Sequence, residues 1–461
     1  MSGDDVSSAL RRATEAEDRA SLWASLEPLR DRLALDLDVA RVWAEALRTS
    51  PARPTLVEEA GAIVERWPAD PLLVGACCDA LIRTCERRPI DEPPLEAAAS
   101  LAASAADRAY GKLSLDDRAE ADVGGRLLAL RANALRSLGP GRYADAIATL
   151  ERALALDPDR GEWHYDLALV HKHARDFAAA LEAGRRARAL SGERRPILWN
   201  LAIAATALGR GAEAAEIWRA LGLDARASDR ELPFVAGLDP VEVRLPTIGA
   251  GHALAPSVPD EAAGFEIVWA QPLSPCHGVI RSPTFRDAIA DFGDVVLWDG
   301  APVSVADRDG VPVPRFPLIA VLKKGDERNL RFVALQQKPK DVEALGSALP
   351  EGVVLYPHVE RVETLCPRCA AGDTMRKHEH LPAEEHRVVF GKMVVPGDAD
   401  LAAFARTLEQ VRRAHSGVLL AIPALYEALG ETAQAGKHHK RWGEIERGLA
   451  KPRSALTVSR H

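Results

Sequence analysis

The sequence predicts an α+β multidomain protein in which an N-terminal α-helical solenoid precedes a β-rich α+β domain and a C-terminal helical hairpin. A helical pattern repeats at a fixed interval between Gly124 and Leu221, which predicts the solenoid. Short apolar runs separated by turn residues begin at Phe265, and helical periodicity returns after Asp400. We therefore divide the chain into helices (1–123), repeats (124–223), a linker (224–264), the β-rich domain (265–398) and C-terminal helices (399–450).

The first 123 residues have helical periodicity, for example at Trp23 and Leu26. We expect degenerate repeats or a helical cap that extends the solenoid. Cys77, Cys78 and Cys85 fall in one predicted helix with no histidine close in sequence. Because free cysteine is among the most buried residue types, we expect these thiols in the core and not at a metal.

The repeated stretch has a period of 34 residues. Ala146, Ala180 and Ala214 are 34 apart, and so are Leu167 and Leu201. Two helices per 34 residues is the spacing of the tetratricopeptide repeat, and these residues resemble that family. The resemblance implies that helical hairpins stack side by side, since one hairpin cannot bury its apolar face alone.

The resemblance also implies a concave face, lined by the first helix of each repeat, that binds a peptide or protein. The candidate partner-binding residues at these positions are Arg126, Asn133, Arg136, Tyr165, Leu169, Lys172, His173, Trp199 and Ile203. This set is basic and aromatic, which suits an acidic or C-terminal peptide. An ordinary solvated helical face is the alternative interpretation.

Chaperone-binding members of the family hold a terminal carboxylate with a Lys and Asn clamp. Asp166 and Pro196 stand where that clamp needs Asn and Lys, which argues against a complete clamp here.

The β-rich domain is predicted from apolar runs closed by turn residues such as Asp299-Gly300. The predicted strands are 265–269, 294–298, 316–322, 330–335, 353–356 and 388–395. Short helices are predicted over 285–290 and 342–349. After an amphipathic helix over 400–413, residues 422–442 resemble another tetratricopeptide hairpin.

One constellation in the β-rich domain predicts a metal site. Cys366 and Cys369 form a C-x-x-C pair, and His378 and His380 follow. Two histidines separated by one residue point to the same side of an extended segment. Together they supply the four N/S ligands of a closed structural zinc site. His358 and His386 are reserve ligands.

Other chemistry has weaker support in the sequence. An unliganded or redox-active Cys366–Cys369 pair is an alternative, although no βαβ pattern accompanies it. A catalytic zinc would leave one position open, with Glu379, Glu384 or Glu385 as general base. Cys276-His277 is more typical of a buried cysteine at a strand end than of a catalytic dyad, because adjacent side chains diverge.

Composition limits the classes of partner and compartment. The formal charge of −8 over 461 residues indicates no general affinity for nucleic acid or an anionic membrane. Nucleic-acid binding is the weakest hypothesis, since Lys338, Lys340, Arg368, Arg376 and Lys377 have few aromatic residues near them. The charged start and the lack of a long apolar run lead us to expect a cytoplasmic protein and no membrane partner.

These patterns favour a protein-interaction adaptor or scaffold that binds through the repeats, with a zinc-stabilised second domain. The alternative is a metal-dependent enzyme with its active site in 265–398. Ala- and Arg-rich, Met-poor usage is typical of a GC-rich bacterial genome.

Overall fold

The structure is a computed structural model, and it describes residues 3–16, 18–49, 54–86, 96–227, 232–247, 265–365 and 384–448. The chain separates into two compact units. The helical unit comprises Met1–Ala236 and the short segment Gly300–Ala306; the β-rich unit comprises Gly237–Asp299 and Asp307–His461.

Seven helices begin the described part of the helical unit. They are α1 (Gly3–Thr14), α2 (Arg19–Leu26), α3 (Leu37–Thr49), α4 (Leu56–Arg66), α5 (Pro71–Glu86), α6 (Glu96–Lys112) and α7 (Leu115–Ala119). Their buried side chains belong to one apolar core that continues as far as Val170 in the repeats. Cys77 and Cys78 are fully buried in that core, as predicted, and Cys85 is half-buried.

The repeats form three helical hairpins. Their helices are α8 (Arg126–Ser137), α9 (Tyr143–Leu156), α10 (Gly161–His173), α11 (Phe177–Ser191), α12 (Arg195–Ala207) and α13 (Gly211–Ala220). The alanines at the 34-residue interval, Ala146, Ala180 and Ala214, are all buried. Small side chains let the two helices of a hairpin approach closely, which explains their spacing. The predicted helical solenoid is confirmed.

The β-rich unit starts with a small closed barrel. A two-residue pair, β1 (Ala225–Arg226) and β2 (Phe234–Val235), precedes it in the helical unit. The strands of the barrel sheet are β3 (Val241–Pro246), β4 (Phe265–Ser274), β5 (His277–Ile280), β6 (Val295–Trp298), β7 (Ser304–Arg308) and β8 (Val311–Lys323). The first three residues of β7 belong to the short segment assigned to the helical unit. The strand order is β3-β4-β5-β6-β8-β7. Parallel pairing of β3 with β8 closes the sheet, so β3 has a neighbour on both sides.

A second sheet follows, with the order β10-β11-β9-β12 and antiparallel pairing throughout. Its strands are β9 (Arg328–Gln336), β10 (Val354–Leu365), β11 (Glu384–Val395) and β12 (Val418–Ala421). The accompanying helices are α14 (Asp341–Ser347), α15 (Leu401–Ala414), α16 (Pro423–Ala428) and α17 (Thr432–Glu446). Phe332 and Met393 of the sheet share one core with Leu345 and Leu408 of the helices.

A buried ion pair fixes the barrel to the second sheet within the β-rich unit. Lys392 on β11 is 3% exposed and donates hydrogen bonds to Asp291 and, at 2.7 Å, to Thr284 Oγ1. The backbone N–H groups of Phe285 and Arg286 donate to the carboxylate of Glu266 on β4. Burial raises the pKa of Glu266, and these two hydrogen bonds oppose the rise.

One local interpretation needs extending and one local prediction is wrong. Residues 224–264, interpreted as a linker or an irregular entry to a new domain, contain β1, β2 and β3 in their described part. The alternation Val241, Val243, Leu245 carried the strand signal, but the surrounding proline and glycine obscured it. Residues 285–290 form no helix; Ala288 instead pairs with Thr247 in an isolated β-bridge, and the N–H groups of Phe285 and Arg286 bind Glu266. Among the described helices, none is long and apolar enough to cross a bilayer.

Candidate functional site

The first helices of the three hairpins, α8, α10 and α12, are joined by polar side chains. Asn133 Nδ2 on α8 donates to Asp166 Oδ2 on α10 at 2.8 Å. Lys172 Nζ on α10 donates to Asn200 Oδ1 on α12 at 2.8 Å. Asn200 Nδ2 lies 3.4 Å from the hydroxyl of Tyr165. We call these five residues the polar ladder.

The ladder includes a buried cation. Lys172 is only 3% exposed, and a buried ammonium group is costly unless it is hydrogen-bonded. The amide oxygen of Asn200 supplies such a bond across two repeats. The ladder therefore fixes the register of α10 against α12 as well as placing polar groups along the first helices.

The other candidate residues on the first helices α8 and α10 are Arg126, Arg136, Leu169 and His173. Arg126 is exposed and forms an ion pair of 3.3 Å with Asp79 on α5. Arg136 and Leu169 are half-buried. The ring of His173 lies 6.2 Å from that of Tyr143 on α9. The role of these four residues in partner binding stays a prediction.

Trp199 and Ile203 on α12 serve packing. Trp199 contacts Trp218 edge to face, with 5.0 Å between ring centroids. A Cβ at Gly300, which belongs to the helical unit, would overlap the Trp199 indole, so only glycine fits there. Ile203 is fully buried. The sequence position alone could not distinguish these two residues from exposed ones.

A groove of about 400 Å³ lies between α10 and α11 of the middle repeat. It is lined by His164, Leu167, His171, Ala179, Glu182, Ala183 and Arg186. Burial lowers the pKa of His171, and the nearby Asp176 opposes that shift. None of the predicted partner-binding residues lines this groove.

The predicted metal ligands Cys366, Cys369, His378 and His380 lie outside the described residues. Within the described ranges, no group of three or more His, Cys, Asp or Glu side chains is arranged to hold a metal ion. Of the reserve ligands, His358 packs edge to face on Phe285, with 5.7 Å between ring centroids. Burial lowers its pKa to about 4.

Cys276 and His277 form a closed polar cluster with Ser274 at the turn between β4 and β5. All three side chains are 0% exposed. His277 Nδ1 lies 2.6 Å from Ser274 Oγ, and Ser274 Oγ lies 3.5 Å from Cys276 Sγ. Burial lowers the pKa of His277 to about 4, so the imidazole is neutral at pH 7. A hydroxyl and an imidazole at this distance could act together, but here no substrate could reach them.

The described part of the β-rich unit also contains a cavity of about 710 Å³ at one end of the second sheet. Its rim includes the carboxylates of Asp326, Glu327 and Asp398. These carboxylates are not arranged as a metal site. The cavity therefore gives the enzyme hypothesis an open cleft but no identified chemistry.

The polar ladder contains two residues that the sequence reasoning missed as site residues. Asn133, Asp166 and Asn200 are 33 and 34 residues apart. The same interval that reveals the apolar core thus also marks a polar position on each first helix. A search for polar residues at this interval would have found Asp166 and Asn200.

Residues 137–182 match the family model of the tetratricopeptide repeat. The match spans the end of α8, the helices α9 and α10 and part of α11. It therefore includes the three ladder residues on α10, which are Tyr165, Asp166 and Lys172. A comparison with curated proteins finds no match.

Solved structures give weak similarities. A structure of MamA is 14% identical with a TM-score of 0.28, covering 35% of this chain and 82% of that chain. A second, MamA AMB-1, is 18% identical with a TM-score of 0.29, covering 41% and 96%. A complex of Naa15/Naa10 bound to HypK-THB is 17% identical with a TM-score of 0.26, covering 46% and 34%. These scores are too low to carry an argument about this chain.

The family match, the interval of 34 residues and the stacked hairpins agree with one another. The chain therefore contains tetratricopeptide repeats, matched over residues 137–182 within a stack of three hairpins, and a β-rich unit follows them.

Proposed function

We propose that this protein is an interaction scaffold whose repeats bind a segment of a partner protein along the first helices α8, α10 and α12. The observation that carries the proposal is the polar ladder. Its hydrogen bonds hold three consecutive first helices in register, and a preorganised face loses less entropy when a partner binds.

The charges beside the ladder favour carboxylates on the partner. Arg126, Arg136 and His173 belong to the first helices α8 and α10, and guanidinium groups form strong paired hydrogen bonds with carboxylates. Asp166 is the acidic member of the ladder, and it accepts a hydrogen bond from Asn133. We therefore expect an acidic partner segment with apolar side chains that contact Tyr165 and Leu169.

Affinity capture with variants of one repeat tests this function. Arg136→Glu reverses a charge at the proposed face, and Glu182→Arg makes the matched reversal at an exposed position on the second helix α11. We expect proteins retained by the unmodified chain to be lost with Arg136→Glu and kept with Glu182→Arg. Circular dichroism checks that both variants fold. Equal retention by the two variants would remove the first-helix face from consideration.

Zinc at Cys366, Cys369, His378 and His380 is a second proposal, supported by the spacing of these ligand types. Elemental analysis of the purified chain tests it. We expect about one zinc per chain, with the metal absent in Cys366→Ser. A metal-free native protein would remove the proposal.

A further inference from the structure

The outer face of the barrel carries an apolar stripe on β4. Phe265, Ile267 and Trp269 are 47%, 41% and 37% exposed, although all three are large apolar residues. The intervening Val268 points into the barrel core and is 1% exposed. This alternation follows from the period of two in a strand, and it spaces the two rings about 13 Å apart. We call these three residues the outer stripe.

Arginine side chains flank the outer stripe on the neighbouring strands. Arg244 on β3 is paired with Ile267, and its guanidinium lies 3.4 Å from the centroid of the Phe265 ring. Arg281 follows β5, is exposed, and donates its backbone N–H to the carbonyl of Trp269 at 2.8 Å. The stripe is therefore bordered by a cation on each side.

A shared carboxylate holds two more arginines at the same face. Glu242 on β3 is paired with Trp269 on β4 and with Arg315 on β8. Its carboxylate is 1% exposed and accepts hydrogen bonds from both Arg308 and Arg315. Because one carboxylate neutralises only one of these two guanidinium groups, this cluster of Glu242, Arg308 and Arg315 keeps one positive charge.

We propose that this face of the barrel binds single-stranded nucleic acid. Aromatic rings stack on bases without regard to sequence, since every base has a π-face. Guanidinium groups bind phosphate in a planar, paired geometry. The outer stripe and its arginines place both kinds of group on one surface, and this binding is separate from the function proposed for the repeats.

Linear sequence patterns do not reveal this surface. Its side chains come from five strands or strand ends between Glu242 and Arg315, and strand pairing brings them together. The overall charge of −8 also conceals it. Asp307 and Asp309, in the turn next to Arg308, reduce the local charge, so we expect weak binding.

Fluorescence anisotropy with the full chain tests the proposal, using labelled oligothymidylate and oligouridylate of fifteen nucleotides. We expect dissociation constants on the order of 10⁻⁴–10⁻⁶ M that weaken as salt rises. Trp269→Ala should weaken binding about 5- to 100-fold, while Trp269→Phe retains most of it. A preference for one oligonucleotide would identify RNA or DNA as the ligand, and either outcome supports the proposal.

Matched controls separate stacking from charge. Val354→Ala removes an exposed apolar side chain of the second sheet and should leave the affinity unchanged. An abasic oligonucleotide of the same length should bind more weakly than oligothymidylate. If the abasic strand or oligoglutamate binds as tightly as oligothymidylate, the surface recognises an acidic ligand and the proposal is wrong. Low salt favours phosphate contacts, so absence of binding at 50 mM salt would also overturn the proposal.

The repeat variant Arg136→Glu keeps the two functions distinguishable. We expect it to bind oligonucleotides as the unmodified chain does, since it changes only the first-helix face of the helical unit. Loss of oligonucleotide binding in Arg136→Glu but not in Trp269→Ala would place the nucleic acid on the repeats and contradict the proposal.

Discussion

The two units of this protein differ in how far apart in sequence their contacting residues lie. In the helical unit, a contact between neighbouring hairpins recurs every 34 residues, so apolar and polar partners are both found by counting. In the β-rich unit, Glu242 meets Arg308 and Arg315 across more than 60 residues. Sites in the first unit can therefore be predicted from an interval, whereas those in the second depend on strand pairing.

Large-to-small core substitutions should give the largest effects and sharpen this comparison. Phe390→Ala in the second sheet and Trp218→Ala in the last hairpin each remove a fully buried ring, at a cost of about 3–5 kcal/mol. We expect Phe390→Ala to increase amide exchange throughout its sheet. Trp218→Ala should increase it in α12 and α13 and in the neighbouring hairpin of α10 and α11, but no further, because repeats contact their neighbours alone. Hydrogen exchange followed by mass spectrometry measures both.

Equal spreading in the two variants would contradict the distinction between a nearest-neighbour stack and a cooperative sheet. Met393→Leu, a volume-conserving change in the sheet core, serves as the control and should cost less than about 1.5 kcal/mol.

Acid should destabilise the β-rich unit before the helical unit. The pKa of His277 is about 4 in the folded chain, where the ring is buried, and about 6.5 in the unfolded chain. The unfolded chain therefore binds more protons between these values, so stability is complete above pH 6.5 and falls towards pH 4. The loss is about 3 kcal/mol from His277 alone. His358 and His438, whose pKa values are also about 4, act in the same direction.

Urea unfolding at pH 7 and pH 5 measures this effect, with hydrogen exchange assigning it to a unit. His277→Asn should flatten part of the pH dependence. A midpoint for the β-rich unit that does not move between the two pH values would contradict the burial of these neutral imidazoles.

Removal of the ladder bond to Lys172 should have an intermediate effect. Asn200→Ala removes a partner of a buried ammonium group, which costs about 1–3 kcal/mol. Asn200→Asp keeps an acceptor for Lys172 and should lose less. Thermal unfolding of the three proteins gives the order. If Asn200→Ala is as stable as the unmodified chain, the ladder does not hold α10 and α12 together.

An exposed ion pair should give the smallest effect. Arg226 and Asp224 lie 3.0 Å apart, but both side chains are 79% exposed. Solvent screens such a pair, and we expect no measurable change in the unfolding temperature of Arg226→Ala. A clear loss of stability would mean that the β1–β2 pair contributes more than its size suggests.

The sequence predicted much of the fold and less of the sites. The helices of the repeats and most strands of the second sheet were predicted, because amphipathic periodicity depends on local residues. The alternation that marks β3 was obscured by the surrounding proline and glycine, whereas the non-helical backbone over 285–290 depends on a β-bridge from Ala288 to Thr247, which is distant in sequence. Trp199 has an unremarkable sequence position, and only Gly300 and Trp218 show that it is packed.

Site-specific photocrosslinking tests the central claim most directly. A benzoylphenylalanine replaces Leu169, at the proposed face of α10, or Glu182, an exposed position on α11 of the same repeat. We expect the benzoylphenylalanine at position 169 to crosslink to one partner segment, which mass spectrometry should identify as acidic. We expect no such crosslink from position 182. Crosslinks to the same proteins from both positions, or from Glu182 alone, would contradict a binding face on the first helices.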